Sequence, residues 1–223
     1  MAGLDEVGRG AWAGPVSVGV AVIRPDIRTR TLPTWLRDSK LLAEERRESV
    51  FVEVARWCAD GAVGHAEAWE CDRWGMTAAL RLAACRALAA LEIPPDALLI
   101  DGPYNLLRNP PVAVQQELAL EAGAAPAGRV DAGPVPLPEV GLPGTVVPVV
   151  DGDALCATVA AASILAKVVR DRIMRREAEH FPSYHFDRNK GYPSPLHQTA
   201  LRGYGLSAIH RRTWAFVDDL PWR

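Results

Sequence analysis

The sequence predicts an α/β domain, and three observations predict it. Short apolar runs rich in Val, Leu and Ile, at 15–23 and 97–100, are separated by longer stretches with helical spacing. The second of these runs ends in Asp101-Gly102, and strand ends are where ligands gather in β/α chains. A long stretch at 159–180 opens with Ala160, Ala161, Ala162 and Ser163, small residues that let a helix lie close on a sheet.

In chain order, the first strand leads into Asp5 and Glu6, with only four residues before them, and then into Gly8-Arg9-Gly10. Neighbouring strand residues point to opposite faces, so Asp5 and Glu6 share a site only if the strand stops or bends there. The glycines allow that bend and bare backbone N–H groups to a ligand, with Arg9 placed to face a phosphate. The same stretch also reads as a solvated acidic turn on an edge hairpin. Residues 15–23 form the second strand, and 43–60 a helix on the spacing of Val50, Phe51, Val54 and Trp57. Ser39 and Lys40 precede that helix, either presenting a hydroxyl and an ammonium to a phosphate or serving as a cap and a surface lysine. A third strand is expected at 61–69, and a helix at 77–91 that starts as early as Cys71. The strand at 97–102 ends in an acid that reads either as a site residue or as an Asp-Gly turn.

Residues 103–144 are dense in Pro, Gly and Ala and read as a long surface insertion with a short helix at 112–120. The last strand, 145–150, carries Pro148, which marks an edge or a bulge. It runs into Asp151-Gly152-Asp153 and then the helix at 159–180, where Lys167 and Arg170 lie on successive turns within reach of a phosphodiester. Arg172, Arg175 and Arg176 read as a solvated basic face. In the tail, 181–223, Tyr184, Tyr192, Tyr204, Trp214 and Phe216 are interleaved with Arg, Lys and His. That pattern suits nucleic-acid contact, a small helical unit with an aromatic core, or both.

Composition bounds the function. The 223 residues are 49% hydrophobic and 23% charged, which suits one ordinary domain with or without an appendage and needs no staple. Four cysteines without CxxC spacing argue against zinc and for reduced thiols. The sequence shows neither a cationic apolar leader nor a run long enough to span a bilayer, so a cytoplasmic protein without a membrane partner is expected. The net charge is −2 overall, but residues 163–223 carry 11 Lys and Arg against 6 Asp and Glu. An acidic front and a basic tail suit an enzyme that holds cations in one place and a polyanion in another.

The segments DEVGRG, RDSK, LLIDG, GD followed by AAASILAK and RD, NKGY and HRRTW, in order from Leu4 to Trp214, resemble type 2 ribonuclease H, ribonuclease HII. The resemblance implies a ribonuclease H-like fold: a mixed five-stranded sheet flanked by helices, with a small helical C-terminal part. It implies a catalytic domain at 1–180 and a substrate-binding extension at 181–223. Asp5, Glu6, Asp101 and Asp153 would be the catalytic carboxylates and the ligands of Mg²⁺ or Mn²⁺, two ions with substrate. Carboxylate oxygens are hard donors suited to either ion. Gly8, Arg9 and Gly10 would read a ribose 2′-hydroxyl, helped by Tyr192 against the neighbouring sugar, while Ser39, Lys40 and Lys167 would hold phosphates.

The implied activity is an endoribonuclease acting as a monomer on RNA–DNA hybrids and on ribonucleotides embedded in duplex DNA, cutting 5′ of the ribonucleotide. A type 3-like hybrid-specific enzyme and a non-catalytic hybrid-binding module are the alternatives. The long insertion and Asp151, standing where a lysine is usual, depart from the family pattern. If 149–153 is extended, Asp151 and Asp153 share a face and Asp151 adds charge to the metal site.

Overall fold

A computed structural model describes residues 1–24, 33, 43–108 and 133–221. Ser39, Lys40 and the helix expected at 112–120 lie outside the described residues. Among the described residues five strands are present: β1 (Ala2–Val7), β2 (Val16–Val22), β3 (Asp60–Ala66), β4 (Ala97–Asp101) and β5 (Thr145–Val149). They form one mixed sheet in the order β3-β2-β1-β4-β5. The β1–β2 and β2–β3 pairs are antiparallel, whereas β1–β4 and β4–β5 are parallel. The four residues before Asp5 are enough for β1, which pairs with β2 from Ala2 onward. Pro148 lies on β5, at the sheet edge, where a residue without an N–H is tolerated.

The strand at β2 is buried at all seven positions because helices cover both faces of the sheet. Helix α1 is Glu44–Trp57, α2 Ala68–Trp74, α3 Met76–Ala89, α4 Gly152–Leu155 and α5 Ala157–His180. Alternation along β2 sends Val16, Val18, Val20 and Val22 into a core with Leu80, Ala83 and Ala84 of α3. Ala21 joins the opposite core, with Val50 and Val54 of α1 and Ala160, Ile164 and Leu165 of α5. Helix α5 sits very close to the sheet. A Cβ on Gly3 would lie 2.3 Å from Val159 N, and one on Gly19 2.3 Å from Ala162 O. Gly3 thus meets the helix backbone at Thr158 and Val159, and Gly19 meets Ala162 and Ala166, the close packing that the small residues of this helix allow.

Three boundaries differ from expectation. The third strand ends at Ala66 rather than 69, because Glu67 and Glu70 form a capping box that starts α2. The helix expected at 77–91 is α3, but the earlier start at Cys71 falls in a separate helix, α2, divided from α3 at Gly75, whose φ is 83°. The described flanks of the insertion, 103–108 and 133–144, hold no helix or strand, yet they are not simply surface. Leu106 and Leu107 are buried, and Val135, Leu137 and Val140 pack against the α3-side core.

The tail contributes a 3₁₀ turn at Pro182–Tyr184, α6 (Phe186–Asn189), α7 (Pro195–Tyr204) and a 3₁₀ turn at Ala215–Val217. Tyr184, Phe186, Trp214 and Phe216 are buried in the same core as the sheet. Tyr204 is 70% exposed. Most of the tail's aromatic content is therefore core. Among the described residues, no helix is long and apolar enough to cross a membrane.

Candidate active site

The acidic cluster forms where two strands part. The β1–β4 ladder ends at Leu4 opposite Ile100, while the β1–β2 ladder continues to Val7 opposite Ser17. The strand does not stop at its acids, as the alternation argument required. It stays paired on one edge and is released on the other. The release opens a cleft of about 260 Å³ lined by Asp5, Glu6, Asp101, Arg47, Ser163 and Lys167, together with Val7 and Ile164.

Asp5 is 4% exposed. Its Oδ1 accepts the Glu6 N–H at 2.8 Å, and Ser163 supplies a side-chain hydrogen bond. Burial pushes its carboxyl well above the usual carboxylate range, and the charges of Glu6, Asp101 and Asp153 add to the shift. The Ser163 hydrogen bond opposes it. Asp101 ends β4 as expected, and its Oδ1 accepts the Gly152 N–H at 2.7 Å, which ties the start of α4 to the strand end.

Asp153 corrects the expectation of a third acid at a strand end: β5 stops at Val149, and Asp153 lies in the first turn of α4, 5% exposed. Asp151 does not share a strand face with it. It is exposed, in the left-handed region at φ 54°, at the N-cap of α4. Among the described residues, no three acidic, imidazole or thiol side chains converge into a ready-made metal cage. The donor set nonetheless fits divalent cations. Mg²⁺-type ions bind through one or two carboxylates plus waters and substrate phosphates, and the mutual repulsion that raises Asp5 is relieved by a cation.

The cations divide differently from the sequence reading. Lys167 does line the cleft, with its Nζ held by Asp171 at 2.5 and 2.7 Å. Burial lowers its pKa, an effect that Asp171 opposes. Arg170 does not reach out to a phosphate. It is fully buried and donates to the carbonyls of Pro15 (2.8 Å), Lys190 (2.9 Å) and Ala13 (3.2 Å). Arg172 and Arg175 are not a purely solvated face, since Arg172 pairs with Glu48 at 2.6 Å and Arg175 with Glu44 and Glu48 of α1. Arg47 and Ser163 are cleft residues that the sequence reading did not single out as site residues. Arg47 sits in an amphipathic helix like any surface arginine, and no local signal separates it.

Beside the acids, the turn and Tyr192 come together across 184 residues of chain: the Gly8 N–H donates to Tyr192 Oη at 3.1 Å. Gly8 has φ 87°, and a Cβ there would sit 2.2 Å from Arg170 Nε, so only glycine fits. A Cβ on Gly10 would meet nothing within 4 Å. Arg9 lies 3.9 Å from Glu6, which links the turn to the acidic cluster. Such a site joins a carboxylate cluster, a lysine at its rim and an open glycine turn with an aromatic side chain beside it.

The family model described as Ribonuclease HII matches residues 2–123 and 142–217, leaving 124–141 unmatched. Ribonuclease HII of Streptomyces coelicolor is 42% identical over 224 residues, covering 100% of this chain and 80% of that protein. Ribonuclease HII of Thermus thermophilus is 42% identical over 223 residues, covering 100% of this chain and 90% of that protein. Among solved structures, the ribonuclease H2 from Pyrococcus horikoshii is similar with a TM-score of 0.70 and 28% identity, covering 98% of this chain and 95% of that one.

Proposed function

The chain belongs to the ribonuclease HII family, endoribonucleases that act on RNA–DNA hybrids, and we propose that it also cuts 5′ of single ribonucleotides embedded in duplex DNA. The observation that carries the reading is the buried carboxylate cluster at the parting of β1 and β4, with the Gly8–Gly10 turn and Tyr192 directly beside it.

Asp5, Glu6, Asp101 and Asp153 would hold Mg²⁺ or Mn²⁺, two ions when substrate is bound, and the bound cations would supply a water of lowered pKa and stabilisation of negative charge for a hydrolysis that leaves a 5′-phosphate and a 3′-hydroxyl. The protein's own groups set the geometry. Ser163 and the Glu6 N–H fix the Asp5 carboxylate, and the Gly152 N–H fixes Asp101. Lys167 turns from Asp171 to a substrate phosphate, and Ser39 and Lys40 keep the phosphate-binding role read from the sequence. Backbone groups of Gly8, Arg9 and Gly10 read the 2′-hydroxyl, the one group that marks a ribonucleotide in DNA. Tyr192 packs on the neighbouring sugar. The tail at 181–223 is the substrate-binding extension of the catalytic domain at 1–180, and the enzyme works as a cytoplasmic monomer.

The test is cleavage of a DNA duplex containing one ribonucleotide, with Mg²⁺, with Mn²⁺ and with chelator. The expected result is a metal-dependent cut at the 5′ side of the ribonucleotide. Cleavage of uniform hybrids alone would favour a type 3-like enzyme, and binding without cleavage a non-catalytic module.

A further inference from the structure

The segment just before the C-terminus is stitched to the chain immediately after the glycine turn. Gly14 N–H donates to Ile209 O at 2.8 Å and Arg211 N–H to Trp12 O at 2.9 Å, with Ala13 opposite His210 in an antiparallel bridge. Two consecutive side chains on this segment then point in different directions. Arg211, with no exposed surface, sends its guanidinium under the turn. Its Nη1 donates to Arg9 O at 2.8 Å, and its Nη2 to Gly8 O at 2.7 Å and Gly14 O at 3.2 Å. Trp214 backs the guanidinium at 5.0 Å. The planar fork thus occupies carbonyls on both sides of the turn, which a point-charge lysine cannot match.

His210 reaches the other half of the recognition site. A backbone N–H only donates and a carbonyl only accepts, so the tautomers follow from the partners. Ser207 N–H donates to His210 Nδ1 at 2.9 Å, which leaves the His210 proton on Nε2. His197 Nδ1 must donate to Tyr192 O, also at 2.9 Å, which leaves His197 Nε2 as the acceptor. The two Nε2 atoms are 2.9 Å apart, donor to acceptor. An unbroken chain of hydrogen bonds runs from Ser207 through His210 and His197 to the backbone of Tyr192. The Gly8 N–H to Tyr192 Oη contact closes the loop.

We infer that the consecutive pair His210 and Arg211 is a positioning device that holds the Gly8–Gly10 turn and Tyr192 at a fixed separation, Arg211 through the carbonyls of Gly8 and Arg9 and His210 through His197. The inference rests on the reading that this turn and Tyr192 recognise a ribonucleotide. With the carbonyls of Gly8 and Arg9 both claimed from inside, the turn has one orientation, and Gly10 faces the open side. Neither residue touches substrate. Each acts by fixing a group that does.

The test uses the full chain, with Ca²⁺ in place of the catalytic ion, and compares binding of a DNA duplex carrying one ribonucleotide with binding of the all-deoxy duplex. Arg211→Lys keeps the buried charge and loses the fork, and it should lower the preference for the ribonucleotide at least about fivefold with all-deoxy binding unchanged. His197→Leu should do the same. His197→Asn retains an N–H donor near the Nδ1 position but loses the acceptor for His210, so it should recover only part of the preference, more than His197→Leu and less than the original protein. A merely structural role would lower the melting temperature and weaken both duplexes in proportion, leaving the ratio intact, and that result overturns the inference. If Arg211→Lys does not fold, the two His197 variants decide. An unsubstituted protein with no preference for the ribonucleotide overturns the recognition reading and this inference together. A preference that survives in Arg211→Lys and His197→Leu overturns this inference alone.

Discussion

To hold a cation as proposed, Asp5 must be ionised in a place that opposes ionisation. Its carboxyl is raised first by burial and then by Glu6, Asp101 and Asp153, so the folded protein holds a proton at pH values where the unfolded chain has released it. Stability from this group is therefore lost as pH rises through the folded pKa. At neutral pH in chelator, Asp5→Asn should raise the melting temperature, and Mg²⁺ should stabilise the unsubstituted protein more than the variant. The same substitution should lower cleavage by about 10³-fold or more, because several kcal/mol of metal-assisted stabilisation are lost. Full Mg²⁺-dependent cleavage by the variant would remove Asp5 from the catalytic set.

The two glycines of the turn separate fold from function in the same way. Gly8→Ala puts a Cβ into Arg170 at φ 87° and should destabilise by about 1–3 kcal/mol. Gly10→Ala enters open space and should leave the urea midpoint unchanged, so any loss of cleavage in that variant reports contact with substrate. An unfolded Gly10→Ala protein would contradict the assignment of an open face.

The insertion is an element with two parts of different standing. Loop closure depends only logarithmically on length, so deleting residues 124–132 and bridging with glycines should leave cleavage within about tenfold. Extending the deletion to 142 removes Val135, Leu137 and Val140, which pack on the core. That larger deletion should lower stability by about 1 kcal/mol or more for each half-buried side chain lost. Equal urea midpoints for the two deletions would show that the packing of 135–140 contributes nothing. Composition alone marked 103–144 as one loop, because Pro, Gly and Ala density reports the lack of regular structure and not whether apolar side chains on it find a core.

For the molecule as a whole, buried imidazoles contribute to the loss of stability in acid, with a sign opposite to that of Asp5, beside the ion-paired Glu44, Glu48 and Glu70, whose carboxyls are also lowered. Burial lowers His210 to about 3, aided by His197, and burial also lowers His197 and His65. An unfolded histidine takes up its proton near pH 6.5. The stability these groups contribute is present above that pH and falls progressively toward pH 3, as the unfolded chain binds protons that the folded one refuses. Urea midpoints in chelator should decline from pH 7 to pH 4, and more gently in His210→Asn than in the unsubstituted protein. A steeper decline in the variant would mean that another group controls the acid limb.

The sequence by itself determined most of the elements and, through its motifs, the family. Val-rich β2, Ala160–Ser163 at the start of α5 and the apolar approach to Asp101 are local patterns with local causes, and they appear where the spacing places them. DEVGRG and AAASILAK, as a resemblance, carried the family, and the roles of Asp5, Glu6, Asp101 and Asp153 are what that resemblance implies. Tertiary structure alone decided how those acids come together. Whether Asp5 and Glu6 share a site depends on β4 leaving β1 after Leu4, a ladder ending that lies in a partner strand about a hundred residues away and leaves no trace in the acids' own neighbourhood.

Asp153 likewise looked like a strand end because DGD follows an apolar run, but the left-handed backbone at Asp151 turns the chain into α4 first. Arg170 reads from the sequence as a phosphate contact, and Arg211 and His210 lie in a tail that reads as nucleic-acid contact or a small aromatic-cored unit. They are buried because backbone carbonyls, and not carboxylates, satisfy the two arginines. A charge count cannot reveal partners of that kind, since carbonyls belong to every residue and only the fold selects which ones converge.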